Sequence, residues 1–264
     1  MMQVSVQGIS VWGPGLSGWP HTARVLQGQE DWEPAPVQVP PATCLPANER
    51  RRCGPLTRLA IALAEEACAQ AGVQAADIRG VFASSNGDGA VVDSILTALS
   101  TPGGEVSPTQ FHNSVHNAPA GYWTIGHASL APVVALGCYD WSFAQGLLKA
   151  AAECVVENAP VLFVAYDLPI PGPIGKVRIT HNTFGCAFVL VPQARQGAVC
   201  TLDITHAPGA MAQDTTLPPQ LAELARSNPA AGGLALLQQI ASGQEGTVHM
   251  TCQPGTILAE VKPC

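Results

Sequence analysis

Charge is scarce in this sequence. Asp, Glu, Lys and Arg make up 12% of its 264 residues, and the balance is acidic, 19 against 12, for a formal net charge of −7. No segment gathers the basic residues that neutralise a phosphate backbone, so nucleic acid is not an expected partner. Apolar runs are short as well, none approaching the roughly 18 residues of a membrane span. The opening MMQVSVQGISVWGPG has no basic n-region and alternates apolar with polar residues, so no secretory signal is expected and the chain reads as cytoplasmic. Cys-x-x-Cys spacing is missing. The nine cysteines, at 44, 53, 68, 138, 154, 186, 200, 252 and 264, are odd in number and have no ligand rhythm, which argues against a zinc site or a disulfide framework. Most of them read as small core hydrophobes in a reducing compartment. A phosphate-binding glycine fingerprint after a strand is also missing.

What is present is apolar mass and many turns. The chain is 47% hydrophobic, with mean hydropathy +0.20, 26 glycines and 23 prolines, enough to bury a full core between short elements. Val4, Val6, Ile9 and Val11 alternate as a first strand ending near Trp12, with a bulge expected at Gly8. Residues 13–53 read as a proline-rich covering loop with a short helix near 23–27. Pro55 opens a helix whose face is Leu56, Leu59, Ala60, Leu63 and Ala67, and Gly72 closes it. Glu65 and Glu66 are expected on its exposed flank. Residues 77–85 predict a buried strand, and NGDG turns the chain into a helix over 91–99.

Asn117 is a cap for APAGYWTIG, and the apolar run 130–137 predicts a strand covered on both faces. A helix over 140–156 and buried strands over 160–166 and 184–191 follow, with a Pro/Gly-rich loop at 168–182. A strand at 199–205, helical pieces near 217–226 and 231–241, and closing strands at 247–252 and 256–261 complete the chain. Strands apolar on both faces that alternate with helices predict α/β layers. His112 and His116 are four apart, a metal-ligand spacing only if one helix carries both. The cap at Asn117 places the helix start after them and no third ligand is near, so no metal is expected; they read as loop histidines or as polar groups of an interface.

The segment VSVQGISVWGPGLSGW resembles the opening of the β-ketoacyl synthases of the thiolase fold. GPLTRLAIALAEEACAQAGVQAADIRGVFASSNGDG is similar to that family's first long helix and following strand. HNSVHNAPAGYWTIGHASLAPVVALGC resembles its approach to the nucleophile elbow, and FGCAFVLVP the strand that ends its first half. The resemblance implies a thiolase-like layered α-β-α-β-α fold in a single ketosynthase-like domain over 1–264, with a complete N-terminal half (1–195) and a shortened C-terminal half (196–264). Cys138 stands at the position of the acyl-accepting cysteine, at a strand-to-helix turn where free N–H groups favour a thiolate. Tyr139, Asp140 and Trp141 follow it where the family carries small residues. The stretch from 193 to 264 holds His206 and His249 but no His-Gly-Thr-Gly-Thr segment, so the electrophilic half of a decarboxylating condensation is missing.

A synthase incomplete in this way resembles a chain-length factor, most closely the short chain-length-factor-like subunits of aryl-polyene biosynthesis. The resemblance implies a subunit not active alone, a heterodimer with a full-length β-ketoacyl synthase, contact with an acyl carrier protein through that complex, and no cofactor or metal. It implies a tunnel gated by Tyr139, Trp141 and Phe143. It also implies an interface over 107–137 that includes Phe111, His112, His116, Asn117, Tyr122, Trp123, Val133 and Val134, whose aromatics are either anchors or ordinary core. Two other readings stay open: a stand-alone acyltransferase or thioesterase with Cys138 as nucleophile and a nearby His as base, and a structural remnant.

Overall fold

The computed structural model describes residues 1–178, 180–192, 197–209 and 217–264. In chain order its elements are β1 (Met2–Gly13), β2 (Leu16–Ser17), α1 (Gly18–Leu26), α2 (Ala47–Arg52), α3 (Pro55–Ala71), β3 (Arg79–Ala83), α4 (Gly89–Ser100), α5 (Pro108–Asn113) and α6 (Ala118–Gly126). There follow β4 (Val133–Leu136), α7 (Ser142–Glu157), β5 (Val161–Asp167), β6 (Phe184–Val191), β7 (Cys200–Ala207), α8 (Pro219–Ser227), α9 (Leu234–Ser242), β8 (Gly246–Thr251) and β9 (Thr256–Pro263). The strands form one mixed sheet in the order β4-β3-β5-β6-β1-β7-β9-β8, with β2 attached to β1. Only β4, β3 and β5 run parallel; every other pairing is antiparallel.

The α/β class read from the sequence is the class of the molecule. Strands β7, β9 and β8 add to the side of β1 away from β6 and continue the sheet. The described strands therefore form one continuous sheet with helices on both faces. The boundary expected near residue 195 lies outside the described residues.

Each face of the sheet has its own core. One core joins α3 and α6 to Phe82, Leu162, Val164, Ala187 and Val189. The other joins α7, α8 and α9 to Val4, Ile9, Phe163, Phe188, Ile257 and Ala259. The helix opened by Pro55 forms as expected, with Pro in its first turn and Gly72 left-handed at φ 64°. Its four buried Leu and Ile side chains, Leu56, Leu59, Ile61 and Leu63, each contribute roughly 1.5–3 kcal/mol of apolar burial. The bulge at Gly8 is present as a register shift, and a Cβ there would fall 2.3 Å from Ala67 O, so glycine lets β1 touch α3. Six cysteines are buried, and burial pushes Cys53 up to about 11 and Cys68, Cys154 and Cys200 up to about 12, as core thiols behave.

Several expectations need correction. The run 130–137 is not covered on both faces: β4 is a sheet edge, its four residues are half-buried, and Leu130 is 99% exposed. Asn117 stands at the N-cap of α6, but its side chain makes no capping bond. The helices α2 and α5 replace stretches read as loop. Glu66 is not on an exposed flank: its Oε2 accepts from Ser10 Oγ at 2.6 Å and Trp12 Nε1 at 2.9 Å, tying α3 to β1.

Candidate functional site

The parallel strands β3, β4 and β5 end side by side, and polar residues gather beyond their carboxyl ends, where open α/β sheets place their sites. From β4 the chain passes through Gly137, Cys138, Tyr139 and Asp140 into α7. Tyr139 takes the left-handed conformation at φ 55°, the tight turn that a strand-to-helix elbow requires. The Cys138 backbone N–H donates to Ser142 Oγ at 2.9 Å, and the Ser142 hydroxyl donates to Tyr139 O at 2.7 Å, so one serine closes the elbow. A Cβ at Gly146, one turn on, would meet Phe163 Cε2 at 2.6 Å and Ala83 Cβ at 2.9 Å, so glycine sets α7 down on β3 and β5.

Arg178 lies over this elbow. Its guanidinium sits 3.6 Å from the Tyr139 ring centre, pairs with Asp140 Oδ1 at 2.9 Å, and donates to Asn86 Oδ1 at 3.0 Å and Ser85 Oγ at 2.6 Å. The cation thus straps the elbow to the end of β3 and holds the Tyr139 ring beside Cys138. Beneath it, Asp167 at the end of β5 is 1% exposed; Oδ1 accepts from Ser84 Oγ at 2.8 Å and Ser85 N at 3.0 Å. Burial pushes its carboxyl up to about 7, against the lowering effect of those bonds. His116 Nε2 meets Ser84 O at 3.0 Å, and the carbonyl makes that nitrogen the donor. Neither Arg178 nor Asp167 is singled out by the sequence, although Arg178 is the only arginine between residues 80 and 190 and stands in a Pro/Gly-rich loop.

Cys138 itself is half-buried, and among the described residues its sulfur has no hydrogen-bond partner. Of the expected tunnel residues, Tyr139 is 52% exposed and Trp141, 6.0 Å from it ring to ring, is half-buried, whereas Phe143 lies in the core. Phe143 packs on Phe163 and Phe188, since it starts the inward face of α7. The expected interface set also divides. Phe111 is 67% exposed, His112 and Asn117 are exposed, and Val133 and Val134 line the free edge. Tyr122 and Trp123 are at most 1% exposed inside this chain: Trp123 packs against the α3 side of the sheet and Tyr122 among Leu45, Cys53 and Ile61. They are core, not anchors. His112 and His116 are not a ligand pair, because His112 sits on α5 edge-on to Tyr122 while His116 follows that helix and turns to Ser84.

The fold and the elbow at the end of β4 define a thiolase-type α/β domain. The model of the family described as Beta-ketoacyl synthase, N-terminal domain, matches residues 21–254, and the chain belongs to that family. Solved structures are similar over the whole length. A chain of the complex described as a ketosynthase (ApeO) with its chain length factor (ApeC) from Xenorhabdus doucetiae has a TM-score of 0.72 at 20% identity, covering 99% of this chain and 100% of that one. A chain of the AntDE:AntF complex, a type II polyketide synthase acyl-carrier protein with its ketosynthase bound to the hexaketide, gives 0.73 at 12% identity, covering 100% and 99%. The ishigamide ketosynthase/chain length factor gives 0.68 at 14%, again covering 100% and 99%. At these identities the likeness speaks for the fold. A search of curated proteins finds no match. No helix among the described residues is long and apolar enough to cross a membrane.

Proposed function

We propose that this chain is a non-catalytic, chain-length-factor-like subunit that pairs with a full-length β-ketoacyl synthase and shapes its acyl tunnel. The observation that carries the reading is an unpartnered apolar side running from α4 to β4. Helix α4, GAVVDSILTALS, buries none of its residues, with Leu96 49% and Leu99 68% exposed. It packs on α5, whose Asn113 receives the Tyr122 hydroxyl of α6, and α6 abuts β4. Gly80 and Ser84 N–H groups donate to Pro132 and Leu136 carbonyls, so the alternate residues Val133 and Ala135 turn their own amides to the open edge. A bare strand edge beside an apolar helix is a docking template for another sheet. The relatives described as ketosynthases with chain length factors support such a partner.

The rest of the reading follows from that pairing. The chain acts as one unit over 1–264, in the cytoplasm, without metal or cofactor in its acyl-handling role. It serves aryl-polyene, polyketide or fatty-acid-like elongation, with the acyl group held as a thioester by the partner and delivered on an acyl carrier protein. The rival acyltransferase or thioesterase reading needs an activated Cys138, whose sulfur has no hydrogen-bond partner among the described residues.

Co-expression with a full-length β-ketoacyl synthase is expected to yield a heterodimer by native mass. Ala135→Pro removes an edge N–H without touching the ladder to β3, and Leu99→Asp charges the apolar face. Each is expected to weaken the heterodimer at least about tenfold while leaving the far-UV spectrum and melting temperature nearly unchanged. A chain that ignores the synthase, or variants that bind as tightly as the parent, would overturn the reading. Within the complex, Tyr139→Ala and Trp141→Ala are expected to lengthen the products. Unchanged product length in both would remove them from the tunnel wall.

A further inference from the structure

Away from the elbow, three groups distant in sequence converge. Cys44 comes from the proline-rich strap between α1 and α2, Glu65 from the middle of α3, and His127 from the C-cap of α6. One donor atom of each lies within 4.8 Å of the other two. His127 Nε2 stands 3.5 Å from Glu65 Oε1, with side-chain exposures of 16% and 34%, and this nitrogen is buried without a hydrogen-bond partner. The Cys44 sulfur lies within 4.8 Å of the same carboxylate. The three groups therefore form a triangle. A nucleophile relay would place thiol and carboxylate on opposite nitrogens of the ring, roughly 6 Å or more apart, which this arrangement does not do.

We propose that Cys44, Glu65 and His127 bind one zinc-class divalent cation, with water as the fourth ligand. Sulfur, imidazole nitrogen and carboxylate oxygen together form the mixed donor set of zinc, whereas magnesium and calcium select oxygen alone. A thiolate and a carboxylate balance a dication in a half-buried place, and the metal gives the orphan Nε2 a partner. Ligand lengths in a tetrahedral site set donor separations of roughly 3.3–3.8 Å, so the triangle needs to close by about an ångström. The supports are in place. The Trp123 ring lies 4.1 Å from the His127 ring, and the backbone at Gly126 backs the sulfur so closely that a Cβ there would come within 2.8 Å of it. Glu65 also lines a cleft of about 370 Å³ with Pro40, Pro41 and Ala42, which gives the ion a way in. Glu66, the neighbouring carboxylate, is committed to Ser10 and Trp12 and takes no part. The ion would clip the strap to α3 and α6. This role is separate from acyl handling and does not depend on the proposed pairing.

The untagged full-length chain, purified from chelator, is titrated with Zn²⁺ against a chromophoric competitor and separately with Co²⁺. One equivalent is expected to bind with submicromolar affinity, the Co²⁺ form showing a thiolate charge-transfer band, and Zn²⁺ is expected to raise the melting temperature. Cys44→Ser, Glu65→Gln and His127→Gln are each expected to weaken binding at least about tenfold, with loss of the band in Cys44→Ser, while Cys264→Ser, at the exposed last residue, binds as the parent does. No uptake by the parent chain, a Co²⁺ spectrum without the thiolate band, or binding that survives Cys44→Ser would each overturn the site.

Discussion

Phe143→Ala is expected to lower the unfolding free energy by about 3–5 kcal/mol, a large part of the roughly 5–15 kcal/mol that a domain has in total. The ring is 2% exposed and packs 5.4 Å from Phe163 and 6.2 Å from Phe188, centre to centre. A third neighbour is the backbone of Gly233, where a Cβ would come within 2.4 Å of the ring. The loss combines the transfer of an aromatic ring with a cavity between α7 and the sheet. Urea unfolding should show a lower midpoint with an unchanged slope. Tyr139→Ala, four residues earlier at the elbow, exposes little new surface and gives up the contact with Arg178, about 0.5–1 kcal/mol. This contrast separates a residue that holds the domain together from one able to gate a tunnel. Equal stability losses at 139 and 143 would reject the division.

Legibility in the sequence followed the range of the forces involved. Strand β1, its bulge at Gly8 and the helix between Pro55 and Gly72 were readable because alternation, an N-terminal proline and a left-handed glycine act within a few residues. Ser107-Pro108 carries the same kind of signal for α5. Strand β4 misled for a different reason: periodicity does not distinguish an apolar run at the centre of a sheet from one at its edge. Tyr122 and Trp123 are adjacent, yet both are buried, because α6 lies between the α3 core and the strap and has a neighbour on each side. Position at the elbow was legible for Cys138 through the order of segments. Its surroundings were not, since Arg178 reaches back to Ser85 and Asn86, and Asp167 to Ser84, across long loops of chain. The Cys44, Glu65 and His127 triangle is the extreme case, because spacing rules for metal ligands apply only when the ligands share an element or a turn.

Asp167→Asn is expected to flatten the dependence of stability on pH between about 4 and 8. In the unfolded chain this carboxyl titrates near 3.8, and in the folded protein burial moves it to about 7. Between those values the native state keeps a proton that the unfolded chain has released, so the unfolding free energy falls as pH rises and levels off above pH 7. Three pH units at about 1.4 kcal/mol each amount to a loss on the order of 4 kcal/mol from this group. Asparagine is neutral throughout, and its carbonyl oxygen can still accept from the Ser84 hydroxyl and the Ser85 amide. The variant should therefore match the parent near pH 4 and exceed it near pH 8, measured by urea unfolding at intervals between. Parallel stability curves for the two proteins would show that Asp167 does not carry the effect. The consequence extends to the elbow, because the residues that hold Asp167 also hold its neighbours: Ser85 Oγ receives Arg178 and Ser84 O receives His116. A carboxylate formed beneath them above pH 7 charges the frame on which Tyr139 and Cys138 are mounted. If the elbow shapes an acyl tunnel, Asp167→Asn should also remove any change in product length between pH 6 and pH 8 in the assembled complex.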